Sequence, residues 1–156
     1  MGGAVSVNIS QIDYHGQLFS SDDVVLVTGG SNGIGLAIAK RFVEEGATVI
    51  ITGRNQNKLD AAVKEISSSR IYPIVWDISD VSIIEEKINN MKEMVGKDIT
   101  ILINNAGTYA KTNLPNTTSE DWDFVYNTNL KGLYFLSQTI IKTWLAMESS
   151  TSPKKL

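Results

Sequence analysis

The chain has 156 residues, a formal net charge of −3 and no cysteine. This length allows one domain with a sizeable core, and the excess of acidic residues offers no basic field for nucleic acid. The lack of cysteine excludes a disulfide framework and a thiolate metal site, and no apolar stretch reaches the roughly 18 residues of a membrane helix. We therefore expect a small cytoplasmic protein that binds no nucleic acid, no metal ion and no membrane.

Short β-branched runs alternate with amphipathic segments along most of the chain. Residues 1–22 are polar and aperiodic, which predicts an N-terminal extension, and residues 149–156 predict a polar tail. Within residues 23–148 the strand candidates are Val24 to Val27, Thr48 to Thr52, Ile71 to Trp76 and Ile99 to Asn104. All but the third are nearly continuous apolar runs, as expected for parallel strands covered on both faces.

A helix candidate follows each of these strands. The first runs from Ile34 to Glu45, and the second and third carry apolar stripes that end at Ile66 and Val95. The fourth is long, with Thr118 or Ser119 as its cap and an apolar stripe from Trp122 to Trp144. The order βαβαβαβα predicts an α/β fold with a right-handed, doubly wound parallel sheet.

The segment TGGSNGIG links the first strand directly to the first helix. Such a turn needs glycine where φ is positive, where a pyrophosphate approaches the main chain and where the helix packs closely on the strand. Gly29, Gly33 and Gly35 meet these needs, and the N–H groups of the first helical turn would face the phosphates. We therefore predict a phosphate-binding turn that comprises Thr28, Gly29, Ser31, Asn32, Gly33, Ile34 and Gly35.

A second motif, Asn104-Asn105-Ala106-Gly107, closes the fourth strand. In an open parallel sheet, ligands bind beyond the carboxyl ends of the strands where the strand order reverses, and the first and fourth strands flank that point. Small side chains at Ala106 and Gly107 would let a nucleotide lie against the backbone, and the amides of Asn104 and Asn105 could fix neighbouring loops. The alternative, an ordinary Asn-Gly-type turn, does not account for the glycine turn earlier in the chain.

These motifs, Asp77 and the Asn129-Leu130-Lys131-Gly132 segment carry a resemblance to a known family. Residues 24–144 resemble the N-terminal part of a short-chain dehydrogenase/reductase. That family consists of single-domain Rossmann oxidoreductases that use NAD(H) or NADP(H). The resemblance implies that Asp77 hydrogen-bonds the adenine amino group and that Ile78 also contacts the cofactor. It further implies that Asn129 matches the catalytic asparagine, which holds the active-site lysine through water. The alternative roles are a helix cap for Asp77 and an ordinary polar helix residue for Asn129.

The end of the second strand bears on the choice of cofactor. An acid that holds the ribose 2′-hydroxyl of NAD is expected roughly 20 residues past the glycine turn, where the sequence has Thr52-Gly53-Arg54-Asn55. A carboxylate would repel a 2′-phosphate, whereas Arg54 would bind it through charge-assisted hydrogen bonds. We therefore favour NADP(H) over NAD(H), and the alternative role of Arg54 is a surface charge at the start of a helix.

The family's catalytic tyrosine, four residues before a lysine and preceded by a serine, has no counterpart in this sequence. The five tyrosines, at positions 14, 72, 109, 126 and 134, are followed at that spacing by Leu18, Trp76, Asn113, Leu130 and Gln138. Hydride transfer to a carbonyl needs a group that gives or takes the proton. The resemblance therefore implies an incomplete Rossmann sheet of about four βα units that binds a nucleotide without turnover.

The sequence is compatible with three functions. The first is a piece of an NADP(H)-dependent oxidoreductase that acts on a carbonyl or an alcohol. The second is a non-catalytic nucleotide-binding module, and the third is a protein-interaction subunit. The fourth strand would lack an outer neighbour, and the stripe from Trp122 to Trp144 would add exposed apolar surface. We therefore expect a homo-oligomer or a partner chain.

Overall fold

The structure is a computed structural model that describes residues 19–151, without the side chains of residues 149–151. The strands in this part of the chain are β1 (Val24–Val27), β2 (Thr48–Gly53), β3 (Ile71–Val75) and β4 (Ile101–Ile103). The α-helices are α1 (Gly33–Glu44), α2 (Gln56–Ile66), α3 (Ile84–Val95), α4 (Ser119–Tyr126) and α5 (Leu133–Thr151). Short 3-10 turns lie at Val81–Ile83 and Leu114–Asn116, and a π-helical turn, Asn127–Gly132, joins α4 to α5.

The structure describes only part of the predicted N-terminal extension and of the predicted C-terminal tail. Residues 1–18 of the predicted extension and residues 152–156 of the predicted tail lie outside the described residues. The described end of the extension contacts the domain, since the ring of Phe19 packs on Phe42 with centroids 5.1 Å apart. At the other end, α5 continues to Thr151 and takes in the first residues of the predicted tail.

The four strands form one parallel sheet in the order β3-β2-β1-β4. Val24–Val27 pair with Thr48–Ile51 on one side of β1, and Val25–Val27 pair with Ile101–Ile103 on the other. The chain thus runs outward from β1 to β3 and then returns to the opposite side of β1. The strand order reverses between β1 and β4, as the prediction of a doubly wound sheet requires.

The sheet is covered on both faces by helices. Val25 and Val27 of β1 belong to a core with α1 and α2, and Val24 and Leu26 belong to a second core with α3 and α5. This alternation follows from the period of two in a β-strand. All four residues of β1 are 0 % exposed, which confirms the prediction that this apolar run is a parallel strand covered on both faces.

β4 is shorter than the predicted strand Ile99 to Asn104. One residue before β4, Thr100 continues the pairing with β1, since its N–H donates to the carbonyl of Val24 at 2.9 Å. The carbonyl of Ile99 instead accepts a hydrogen bond from the indole of Trp144 at 2.6 Å. A side chain of α5 therefore takes up the backbone group that a longer strand would use.

The predicted long fourth helix is interrupted. Its start is as expected, because Thr118 and Asp121 form a capping box, and the N–H that Thr118 donates to Asp121 lowers the pKa of that carboxyl. The π-helical turn then separates α4 from α5. Within this turn Gly132 lies so close to the carbonyl of Ile78 that a Cβ would clash with it.

The π-helical turn also divides the predicted apolar stripe. A wider turn rotates the residues before it relative to those after it. Leu136 and Ile140 of α5 are buried against the sheet, whereas Trp122 of α4 is 67 % exposed. The stripe from Trp122 to Trp144 therefore does not lie on one face, and the exposed apolar surface of α4 and α5 comprises Trp122 and residues outside the stripe. In the part of the chain that the structure describes, no helix is both long and apolar enough to cross a membrane.

Candidate functional site

Thr28 and Asn105 join the glycine turn after β1 to the Asn104–Gly107 motif after β4. The hydroxyl of Thr28 accepts hydrogen bonds from the backbone N–H groups of Asn105 and Ala106, both at 3.0 Å. The side-chain amide of Asn105 donates to the carbonyls of Thr28, at 2.9 Å, and of Gly29, at 3.2 Å. The loops after β1 and β4 therefore meet at the reversal of strand order, as predicted, and they are held there by side chains.

Thr28→Val is expected to destabilise the fold, because Thr28 is 2 % exposed and its hydroxyl satisfies two backbone donors. Each buried group left without a partner costs about 1–3 kcal/mol. The free energy of unfolding should fall accordingly in urea titrations. Thr28→Ser keeps the hydroxyl and serves as the control. Equal stability of the valine and wild-type proteins would contradict the role assigned to this hydroxyl.

The glycine turn has the backbone geometry predicted from its sequence. Gly29 and Gly33 have φ values of +67° and +54°, which side chains rarely allow. A Cβ at Gly29 would lie 2.9 Å from the Cα of Ala106, and a Cβ at Gly35 would clash with the carbonyl of Gly29 and the amide of Asn105. Gly29 and Gly35 are therefore needed for close packing, whereas a Cβ at Gly33 would meet no atom within 4 Å in the described structure.

The start of α1 is open for a ligand. Asn32 is the N-cap residue, and its side chain makes no capping hydrogen bond within the described structure. Asn32, Gly33 and Ile34 are exposed, while Ser31 packs beside Gly53 of β2. Because the first N–H groups of a helix have no intrahelical partner, this end of α1 presents donors and a positive dipole to an anion.

A groove runs along the carboxyl ends of the strands beside the glycine turn. It is lined by Gly29, Thr52, Gly53, Arg54, Trp76, Asp77, Ile78, Ala106, Gly107 and Thr128. Six of these residues were predicted as cofactor contacts, and they come from the loops after β1, β2, β3 and β4. The hydroxyl of Thr128 is buried without a hydrogen-bond partner in the described part of the chain.

Arg54 and Asp77 face each other at the rim of this groove. Their closest atoms, Nη1 and Oδ2, are 3.9 Å apart, and both side chains are about half exposed, at 53 % and 42 %. The other oxygen of Asp77 accepts hydrogen bonds from the N–H and the hydroxyl of Ser79, at 3.0 and 2.7 Å. Asp77 thus orders its own loop, while Asp80, whose side chain accepts from the N–H of Ser82, caps the 3-10 turn Val81–Ile83 that precedes α3.

Asn129 lies in the π-helical turn and contacts the loop that follows Gly107. Its Oδ1 accepts a hydrogen bond from the N–H of Thr108 at 2.7 Å, and its Nδ2 donates to the carbonyl of Thr108 at 2.8 Å. The side-chain amide of Asn129 thus bonds both backbone polar groups of Thr108 and fixes this loop. Wide helical turns of this kind are frequent at functional sites.

Four residues of the groove were missing from the predicted contacts. Thr52 and Gly53 end β2, and Trp76 directly follows β3, so their position at a carboxyl strand end was the available signal. Thr128 gave no such signal, because it lies in the π-helical turn and not at a strand end.

A parallel sheet with a glycine turn at its strand-order reversal defines a Rossmann-type dinucleotide-binding fold. The sequence model of the short chain dehydrogenase family matches residues 23–151. The chain belongs to this family, and the predicted resemblance is confirmed.

Among its relatives, the NADP-dependent (R)-specific alcohol dehydrogenase of Lentilactobacillus kefiri is 40 % identical over 113 residues, which is 72 % of this chain and 44 % of the relative. The 3-oxoacyl-(acyl-carrier-protein) reductase of Thermotoga maritima is 37 % identical over 120 residues, 76 % of this chain and 48 % of the relative. The crystal structure of a short chain dehydrogenase from Bacillus anthracis matches with a TM-score of 0.76 and 36 % identity, covering 81 % of this chain and 53 % of that one. The chain thus spans about half the length of the relatives it matches.

Proposed function

We propose that residues 23–148 form a dinucleotide-binding unit that holds NADP(H) across the carboxyl ends of the strands. The observation that carries this proposal is the groove where the glycine turn, Arg54 and the Asn105–Gly107 loop meet. The start of α1 would bind the pyrophosphate, Asp77 and Ile78 would bind the adenine, and Arg54 would bind the 2′-phosphate. A bound nicotinamide would supply or accept a hydride.

The residues of the groove fit such a ligand. Gly29 and Gly35 leave no room for side chains between the turn and the Asn105–Gly107 loop, so backbone lines this part of the groove. The exposed start of α1 offers N–H donors to phosphate oxygens. These features recognise a phosphate-bearing ligand through backbone and charge, as a dinucleotide requires.

The preference for NADP(H) over NAD(H) rests on Arg54. It directly follows β2, where the ribose would lie, and its guanidinium is exposed enough to meet a phosphate. The only carboxylate that we find paired with it in the described structure is Asp77, at 3.9 Å. The Lentilactobacillus kefiri relative, which is NADP-dependent by name, supports the same choice.

We further propose that the whole protein is an oxidoreductase that interconverts a carbonyl and an alcohol, as the names of both relatives suggest. In that reaction Asn129 would hold the loop after Gly107 beside the reacting groups, and in the presence of the family's lysine it would bind that side chain through water. The sequence has no tyrosine four residues before a lysine. This chain alone would therefore bind the cofactor without transferring a hydride, since it lacks the family's tyrosine and lysine pair that would move the carbonyl proton.

The outer edge of β4 supports association with another chain. In the described sheet β4 pairs only with β1, and its residues Ile101–Ile103 are partly exposed, unlike those of β1. Unpaired strand edges beside apolar side chains promote pairing with further strands. Exposed apolar residues on the π-helical turn and α5, including Leu130, Tyr134 and Ile141, add to this surface. A homo-oligomer or a partner chain would cover both.

The purified chain is expected to bind NADPH, to self-associate and to show no turnover. Sedimentation velocity measures the association, and NADPH oxidation with a panel of ketones and aldehydes measures turnover. A stable monomer with clear reductase activity would contradict the proposal. A chain that binds a protein partner but no nucleotide would instead support an interaction subunit, and nucleotide binding without activity in any longer form of the protein would support a non-catalytic module.

A further inference from the structure

The ring of Phe124 lies against the arginine at the rim of the groove. The guanidinium carbon of Arg54 lies over this ring, 5.8 Å from its centroid. Arg54 follows β2 and Phe124 lies in α4, so the contact joins two elements that are far apart in the sequence. Thr128, which lines the groove, lies in the π-helical turn that directly follows α4.

We propose that Phe124 is a positioning residue that holds Arg54 for a 2′-phosphate and so increases the preference for NADPH over NADH. The inference rests on the proposed function and adds a residue that determines its cofactor specificity. Phe124 would not contact the phosphate itself. It would act through the guanidinium, which the quadrupole of an aromatic ring attracts.

The physical reason lies in the freedom of a long side chain. Arg54 is 53 % exposed, and an arginine in water must give up many rotamers to bind a phosphate. A ring that already holds the guanidinium at the rim of the groove reduces this loss on binding. The ring face attracts the cation without accepting all of its N–H donors, so donors remain for phosphate oxygens.

Asp77 lies beside the same guanidinium and would compete with a phosphate for it. Its carboxylate is 3.9 Å from Nη1, at the outer limit of an ion pair. Its position is fixed by Ser79, which donates two hydrogen bonds to the other carboxylate oxygen. Without the ring, Arg54 would turn further toward this carboxylate, and a 2′-phosphate would have to displace it. Phe124 therefore favours the arrangement that leaves Arg54 available.

The test compares Phe124→Leu with Phe124→Tyr in the full chain, since the first removes the ring and the second keeps it. Fluorescence titrations with NADPH and NADH should show Phe124→Leu weakening NADPH by about two- to fivefold, the size of an exposed cation–π contact, with NADH unchanged. Phe124→Tyr should retain the wild-type preference. In the free protein, the ring-current shift of the Arg54 side-chain resonances should disappear in Phe124→Leu and persist in Phe124→Tyr.

A double-mutant cycle with Arg54→Ala separates this inference from the proposed function. In the Arg54→Ala background, Phe124→Leu should have no further effect on NADPH affinity, because the group it positions is gone. Equal weakening of both nucleotides, unchanged NADPH affinity or an effect that persists without Arg54 would overturn the positioning role. Wild-type protein that binds both nucleotides equally would overturn the proposed preference itself, which the Arg54→Ala titration detects independently.

Discussion

Gly35→Val is expected to abolish NADPH binding and to lower the thermal stability of the chain. A Cβ at position 35 would clash with the carbonyl of Gly29 and the side-chain amide of Asn105. The valine would therefore separate the glycine turn from the Asn105–Gly107 loop, and the groove would lose its shape. NADPH titration and a thermal melt followed by circular dichroism measure both effects. Because one of the clashing atoms belongs to the backbone of Gly29, the turn itself would have to shift.

Gly33→Val provides the matched comparison because a Cβ at Gly33 would meet no atom within 4 Å in the described structure. Its cost to folding is limited to the backbone strain of a left-handed residue, about 1–2 kcal/mol. We expect this variant to fold and to lose nucleotide binding, since the valine would project into the space before the exposed start of α1. A folded Gly33→Val protein with wild-type NADPH affinity would refute the phosphate site.

Arg54→Ala is expected to weaken NADPH binding about tenfold or more and to leave NADH binding unchanged. Hydrogen bonds to a charged group contribute about 1.5–3 kcal/mol, and 1.4 kcal/mol corresponds to a factor of ten in affinity. Because the guanidinium is 53 % exposed, the effect should shrink as salt is added. Calorimetric titrations of both nucleotides at two ionic strengths measure these differences.

The control for this prediction is Arg54→Lys, which keeps the charge but loses the planar guanidinium. It should retain a preference for NADPH that is weaker than that of the wild-type protein. Equal losses for NADPH and NADH in Arg54→Ala would show that Arg54 does not contact the 2′-phosphate. The ion pair with Asp77 would then be the main role of this side chain.

Much of the site could be predicted from the sequence because its residues lie at predictable ends of strands. Gly29, Ala106 and Asp77 each follow a strand closely, and the carboxyl ends of parallel strands meet at one edge of the sheet. Side-chain roles were harder to predict. The sequence predicts Thr28 as a cofactor contact, and it gave no sign that its hydroxyl bonds to backbone groups of β4 and the following loop, as the structure shows.

The break in the fourth helix could not be predicted from apolar periodicity. A π-helical turn changes the period locally, and its causes here are contacts with distant residues, since Asn129 bonds to Thr108 and Gly132 packs on Ile78. Neither contact leaves a signal in the local pattern of the helix. This turn places Trp122 in solvent and Thr128 in the groove.

The sequence by itself determined the family, the doubly wound parallel sheet and the position of the glycine turn. These features depend on local patterns, because buried strands read as apolar runs and a tight strand-to-helix turn needs glycine at fixed places. Only the tertiary structure decided that Arg54 lies between Asp77 and Phe124, and that β4 ends where Trp144 takes the carbonyl of Ile99. The physical reason is that such contacts join residues far apart in the chain, and their geometry arises only when the helices pack on the sheet.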